Sequence, residues 1–357
     1  MKTAAEFQIK YVQYLDAEGK RTQEKLPAFA EDIAHWVDLY QRMTFLRVFD
    51  TKSIALQRTG KLGTYASCLG HEAAHVGIGA SMRPEDAFCP MYREYGAQFY
   101  RGVQPRSVLM YWGGDERGSD FAGPPHDLPW CVPIATQCLH AAGAALAFKL
   151  RKEARVAVSV VGDGGSSKTD FNGAINAAGA YALPYVGVIV NNQWAISVPR
   201  SAQTGALTLA QKGIAGGIDC IQADGNDIIA VRTVMDAAIA KARAGHGASV
   251  VELVTYRLSD HTTADDARRY RDDAEVKSAW LRDPLTRLRR YLESCQAWSD
   301  RAEGEWKVEC GRLVDIEVDA YLESRAQPVA SMFDFVYAEL PHNLAEQRAA
   351  AIAWEAR

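Results

Sequence analysis

Two short apolar runs, each ending abruptly in glycine or amide residues, limit what this chain can fold into more than any other feature. Residues 156–161 read Val-Ala-Val-Ser-Val-Val and residues 185–190 read Tyr-Val-Gly-Val-Ile-Val. Neither alternates apolar with polar, so neither suits a strand with one face in water. Such runs fit strands buried on both faces, as in parallel sheets covered by helices. Between them, residues 170–182 carry a helical pattern in which Gly173 and Gly179 mark close packing. The same order of strand, helix and strand returns in residues 220–223, 226–243 and 249–256. This alternation predicts an α/β fold with a mostly parallel sheet and helices on both faces.

The rest of the chain is read around that unit. Residues 1–30 form an N-terminal extension with strand-like content at 7–14. A helix is expected from about residue 30 to about residue 58, with Ile33, Trp36, Val37, Tyr40 and Met43 at helical spacing. Residues 31–282 make the main domain, and 283–357 a helical C-terminal region opened by Asp283-Pro284 as N-cap and first helical residue. Residues 102–133, rich in Gly, Pro and Asp, are expected to be one long loop. Residues 134–150 are the most apolar stretch but contain Gln137, His140 and Lys149, so they read as a buried helix and not a membrane span. A net charge of -4 over 357 residues gives no field that would attract nucleic acid. The polar N-terminus is unlike a signal peptide, and seven cysteines without a CxxC pair read as reduced thiols, so a cytoplasmic protein is expected.

The chemistry sits where the two runs end. The first ends in Gly162-Asp163-Gly164-Gly165-Ser166-Ser167, the second in Asn191-Asn192-Gln193-Trp194. Sites in open parallel sheets lie at the carboxyl ends of strands. If the two strands are neighbours, the Asp163 carboxylate, the Asn192 amide oxygen and the Trp194 carbonyl converge as oxygen ligands for Mg²⁺, shared with a ligand's phosphates. Gly164 and Gly165 let backbone approach a diphosphate, and the helix that follows offers N–H donors. Three other readings stand beside this one. Gly-Asp-Gly is often only a turn. As a dinucleotide fingerprint it lacks the third glycine. As a P-loop of a nucleotide-binding regulatory protein it lacks a glycine at Ser167 and puts Asp163 against phosphate. Only a bridging metal explains Asp163.

Gly162-Asp163-Gly164, followed after a helix and a strand by Asn191-Asn192, resembles the thiamine-diphosphate signature. More of the chain resembles the E1 α subunit of 2-oxo acid dehydrogenase complexes, the pyruvate and branched-chain types. The matching segments are Gly60-Lys61-Leu62-Gly63, Gly70-His71-Glu72-Ala73, Met91-Tyr92-Arg93-Glu94, Pro133-Ile134-Ala135-Thr136-Gln137, Ala195-Ile196-Ser197, Asp224-Gly225-Asn226-Asp227, Asp260-His261-Thr262-Thr263-Ala264-Asp265-Asp266 and residues 341–347. The likeness spans roughly residues 30 to 350. It implies a three-layer thiamine-diphosphate-binding fold and decarboxylation of a 2-oxo acid, with acyl transfer to a lipoyl group of an E2 acyltransferase. It also implies an E1 β subunit that completes the site, in an α2β2 assembly. A transketolase-like α chain would share the diphosphate motif but lack the 260–266 loop.

Residue by residue, the resemblance places Tyr92 and Arg93 on the diphosphate, although Arg93 could instead form a surface ion pair with Glu94. It gives Asp163, Asn192 and the Trp194 carbonyl to the metal, and Ile134 to the aminopyrimidine. His261 would stand beside the cofactor's reactive carbon and assist proton transfer. Cys131, Pro133, Thr136 and Gln137 match a potassium site, from which Val132 departs where the branched-chain pattern has Ser. Val190 likewise stands where that type has an Arg on phosphate. Thr262 occupies a position where mammalian relatives carry a phosphorylated Ser. His71, His126 and Lys168 have no assigned role. Pyruvate is the favoured substrate, on residues 60–63 and 341–347; a branched 2-oxo acid, 3-methyl-2-oxobutanoate, is the alternative.

Overall fold

The computed structural model describes residues 1–355. In chain order the strands are β1 (Lys10–Val12), β2 (Ala87–Cys89), β3 (Ala157–Gly162), β4 (Tyr185–Asn191), β5 (Trp194–Ala195), β6 (Val198–Pro199), β7 (Asp219–Asp224) and β8 (Ser249–Val254). Through residue 322 the helices are α1 (Ile33–Arg58), α2 (Glu72–Ser81), α3 (Tyr95–Arg101), α4 (Pro105–Trp112), α5 (Thr136–Arg151), α6 (Thr169–Ala180), α7 (Arg200–Gln203), α8 (Ile228–Arg243), α9 (Asp273–Trp280), α10 (Pro284–Ser294) and α11 (Asp300–Leu322). Among the described residues, six strands form one sheet in the order β1-β7-β8-β4-β3-β2, and every pairing in it is parallel. β5 and β6 pair antiparallel as a small hairpin.

The apolar runs are buried on both faces, as their composition requires. Successive side chains of a strand point to opposite sides. Val158, Val160, Val186, Val188, Val251 and Leu253 pack under α2 and α8. Ala157, Val161, Tyr185, Ile189 and Val250 pack under α5 and α6. The result is three layers with the sheet in the middle. Among the described residues, no helix is long and apolar enough to cross a membrane.

The N-terminal and C-terminal regions are sewn to this core by one short motif. β1 joins the sheet edge in register with β7, Lys10 opposite Ile221. Asp227 caps α8 through Ile229 N at 3.0 Å, and its other oxygen accepts from Tyr14 N at 2.6 Å and Leu15 N at 2.8 Å. Asp224 accepts from Gln13 at 2.8 Å and pairs with buried Arg287 of α10 at 2.6 Å. Asp283 caps α10 as expected, accepting from Thr286 N at 2.8 Å.

Two expectations are corrected. Residues 102–133 are not one loop: they hold α4 and a 3₁₀ turn at Glu116–Ser119. Pro105 opens α4 at its first turn, where a missing N–H costs nothing, and Val108 and Leu109 bury one face. The glycines and prolines that suggested a loop belong to its flanks. The stretch 134–150 is not a fully buried helix either. α5 starts at Thr136 and buries Cys138, Ala141, Ala145 and Phe148, while Leu139 is 42% and Leu150 is 74% exposed. High alanine content made the whole stretch look apolar when only one face is covered.

Candidate active site

Parallel pairing of β3 with β4 sets Gly162 opposite Val190. Asp163 and the Asn191-Asn192 pair therefore leave the sheet side by side, as the sequence predicted. A cavity of about 390 Å³ opens there. Tyr92 and Arg93, arriving after β2, line it together with Ile134, Gly162, Asp163, Gly164, Gly165, Asn192, Trp194 and His261. Met91, Lys168, Ala195 and Ile196 complete the lining. Four adjacent strand ends thus supply it: β2, β3, β4 and β8.

Asp163 is buried, and burial raises its pKa above the usual carboxylate range. The two adjacent asparagines do different work. Asn191 donates to the buried carboxylate of Glu252 at 2.7 Å, and Glu252 also accepts from Leu209 N at 2.8 Å and Ala210 N at 2.9 Å. Asn191 is thereby spent on holding the strand end. Asn192 turns to the cavity, its amide oxygen accepting only from Trp194 N, at 3.2 Å. The Trp194 indole points away, donating to Glu275 of α9 at 3.1 Å, so only its backbone remains for the site.

Gly164 and Gly165 line the cavity and are also required by packing. A Cβ on Gly164 would sit 2.4 Å from the Ala195 Cβ, and one on Gly165 would sit 2.4 Å from Val161 Cγ2. The β5–β6 hairpin needs that room to lie on the turn after β3. The turn itself is 3₁₀ over Gly164–Ser167, so α6 begins only at Thr169.

Two guanidinium groups meet at His261. Arg93 is buried and makes no ion pair with Glu94, contrary to the alternative left open above. Glu94 turns back to Met91 N at 2.7 Å. Arg93 donates instead to the carbonyls of Ser67 and His261, the latter at 2.9 Å, and lies 3.3 Å from His261 Nδ1. Arg257, also buried, donates to Trp194 O at 3.2 Å and Ile196 O at 2.9 Å, with His261 Nδ1 at 3.4 Å. Both neighbours of Nδ1 are donors, which assigns the ring proton to Nε2, 3.4 Å from the Tyr92 hydroxyl. Burial first, then Arg93 and Arg257, push the His261 pKa down to about 3. The imidazole is neutral. Its loop is held by Asp265, which accepts from His261 N at 3.0 Å and from the Tyr270 hydroxyl. Thr262 sits in this loop, its hydroxyl accepting from Ala264 N at 3.3 Å.

Other residues named from sequence fall elsewhere. His71 is buried, stacked on His75, and outside the cavity lining. His126 is half-buried and also outside it. Near α5, the Cys131 thiol donates to Pro133 O at 3.3 Å and Gln137 donates to Val160 O at 2.6 Å; Thr136 opens the helix. Sequence reasoning missed Arg257 and Gln203, the latter donating to Asp163 Oδ2 at 2.5 Å. Arg257 had a signal, a full charge three residues past the end of β8. Gln203 had none.

The family model described as the dehydrogenase E1 component matches residues 40–331. The chain is 40% identical over 342 residues to the 3-methyl-2-oxobutanoate dehydrogenase subunit alpha of Mycobacterium tuberculosis, covering 94% of this chain and 92% of the relative. It is 38% identical over 347 residues to the pyruvate dehydrogenase E1 component subunit alpha of Staphylococcus epidermidis, covering 97% and 93%. The counterpart from Staphylococcus aureus is 38% identical over 346 residues. A parallel three-layer sheet, Gly-Asp-Gly and Asn-Asn at adjacent strand ends, and a match over most of the chain agree: this chain belongs to the dehydrogenase E1 component family.

Proposed function

We propose that the chain is the α subunit of a 2-oxo acid dehydrogenase E1, which decarboxylates a 2-oxo acid and passes the acyl group to a lipoyl group on E2. One observation carries this reading. Arg93 and Arg257 are buried at 2% and 0% exposure, and among the described residues neither has an ion-pair partner. Isolated buried charges are costly, so the cavity lined by Arg93, with Arg257 beside the same His261, suits an anion. The cavity also holds one buried carboxylate, Asp163, that a cation would satisfy. Thiamine diphosphate with Mg²⁺ answers both demands.

In this reading Asp163, Asn192 and the Trp194 carbonyl hold Mg²⁺. Tyr92 and Arg93 face the diphosphate, and Arg257, held on Trp194 O and Ile196 O outside the cavity lining, adds positive charge nearby. Ile134 and the glycine turn shape the wall beside the cofactor's rings. The bound cofactor supplies the electron sink for loss of carbon dioxide. His261 holds a proton at Nε2 and orients the reacting groups. A potassium ion near Cys131, Pro133, Thr136 and Gln137 is supported by Gln137 Oε1, a buried acceptor without a partner.

Asp163 is the only carboxylate lining the cavity among the described residues. An acid for the pyrimidine nitrogen must then come from a β subunit, in an α2β2 assembly. Val132, Ile134, Ile196 and Val198, all exposed, form an apolar rim suited to that partner.

Calorimetry on the assembled α/β complex tests the reading. Asp163→Ala is expected to abolish Mg²⁺-dependent binding of thiamine diphosphate, and ATP is expected to give no heat. Unchanged cofactor binding would remove the metal assignment. For the substrate we propose pyruvate. The Mycobacterium tuberculosis relative favours a second reading, 3-methyl-2-oxobutanoate. The ratio of kcat/KM for the two acids decides between them.

A further inference from the structure

Gln203 reaches the site by an indirect route. After β4 the chain turns through the β5–β6 hairpin into α7, and this segment folds back over the turn that carries Asp163. The last residue of α7 is Gln203. Its amide nitrogen donates to Asp163 Oδ2 at 2.5 Å and to Val198 O at 3.1 Å. Both amide hydrogens are thereby used, which fixes the orientation of the carboxamide, since the flipped group would set oxygen against carboxylate oxygen. Gln203 Oε1 is left buried without a partner.

A metal-binding carboxylate works best when a neighbouring donor fixes its orientation, and losing such a donor costs 10–100-fold in metal affinity (roughly). Resting on the metal reading given above, we propose that Gln203 is a positioning residue for the cation. Its donated hydrogen bond engages one oxygen of Asp163 and leaves the other for Mg²⁺. Its Oε1, buried without a partner, would be free to accept from a water of the cation's shell, since Mg²⁺ keeps several waters. A purely structural Gln203 would serve only to fasten α7 to the hairpin through Val198.

The test measures Mn²⁺ affinity by electron paramagnetic resonance in the assembled α/β complex with thiamine diphosphate. Wild type is compared with Gln203→Met, which keeps the volume and removes both amide functions, and with Gln203→Ala. The expected result is a Kd for Mn²⁺ raised about tenfold in both variants. The melting temperature of the metal-free complex should stay within a few degrees of wild type. Affinity within twofold of wild type in Gln203→Met overturns the proposal. So does a loss of metal-free stability large enough to accompany the whole effect, which identifies a fastener. Wild type that binds no Mn²⁺ in the presence of thiamine diphosphate overturns the underlying metal reading instead. If Gln203→Ala fails to assemble, the near-isosteric Met variant carries the decision.

Discussion

His261 is a base held neutral by burial and by two neighbouring cations. Its folded-state pKa of about 3 lies below the ordinary value of 6.5. The unfolded chain therefore binds the proton first as pH falls. Stability at this residue is fully present above pH 6.5 and is lost as pH drops toward 3. Selectively labelled histidine followed by NMR should show His261 not titrating between pH 5 and 8 in the free chain. Adding thiamine diphosphate and Mg²⁺ should raise its pKa, because a diphosphate bound beside Arg93 would offset that charge. A His261 that titrates near 6.5 in the free chain would contradict the geometry. At this scale the sequence was most readable where chemistry is written locally. Asp163 and Asn192 could be picked out because their neighbours form a signature. Arg93 was named for the diphosphate through the resemblance; adjacency alone suggested an ion pair with Glu94, which instead bends back to Met91 N. Gln203 was invisible because its contact with Asp163 spans 40 positions and depends on a fold-back turn.

The elements were legible wherever burial is two-sided. β3 and β4 are almost wholly apolar, with Ser159 and Asn191 as polar members, and runs so short suit strands covered on both faces. The parallel register then followed from the alternation with helices. α4 was missed because residue composition averages over a segment, whereas a helix needs only one covered stripe. Close packing between elements also left marks in the text. Gly179 of α6 faces the 3₁₀ segment Ala210–Gly216, and a Cβ there would lie 1.7 Å from Gly216 O. The obstacle is backbone, which cannot rotate aside. Gly179→Ala is therefore expected to destabilise the fold by about 1–3 kcal/mol, despite alanine's better helix propensity. Urea unfolding of the two proteins checks this, and equal midpoints would show that α6 can shift freely.

On the proposed function, the whole molecule presents half of a site. Its cavity is lined by Asp163, Asn192, Arg93 and His261, and Asp163 is its only acid among the described residues. The isolated chain should show no measurable 2-oxo acid-dependent reduction of an artificial electron acceptor, and activity should appear when the β subunit is added. Full turnover by this chain alone would refute the shared site. The resemblance already implied a β subunit that completes the site; the cavity's walls add that no second acid lines it among the described residues. The sheet adds a constraint on how a second chain can arrive. Both of its borders, β1 and β2, are only three residues long. Strands that short give a newcomer too few rungs to pair with, so the sheet cannot be lengthened sideways. Whatever completes the cavity has to settle across the strand tips and the surrounding loops, where rigid backbone gives way to side chains that can be remodelled. Affinity between the chains and occupancy of the cavity are then properties of the same few loops, and neither can be altered without touching the other.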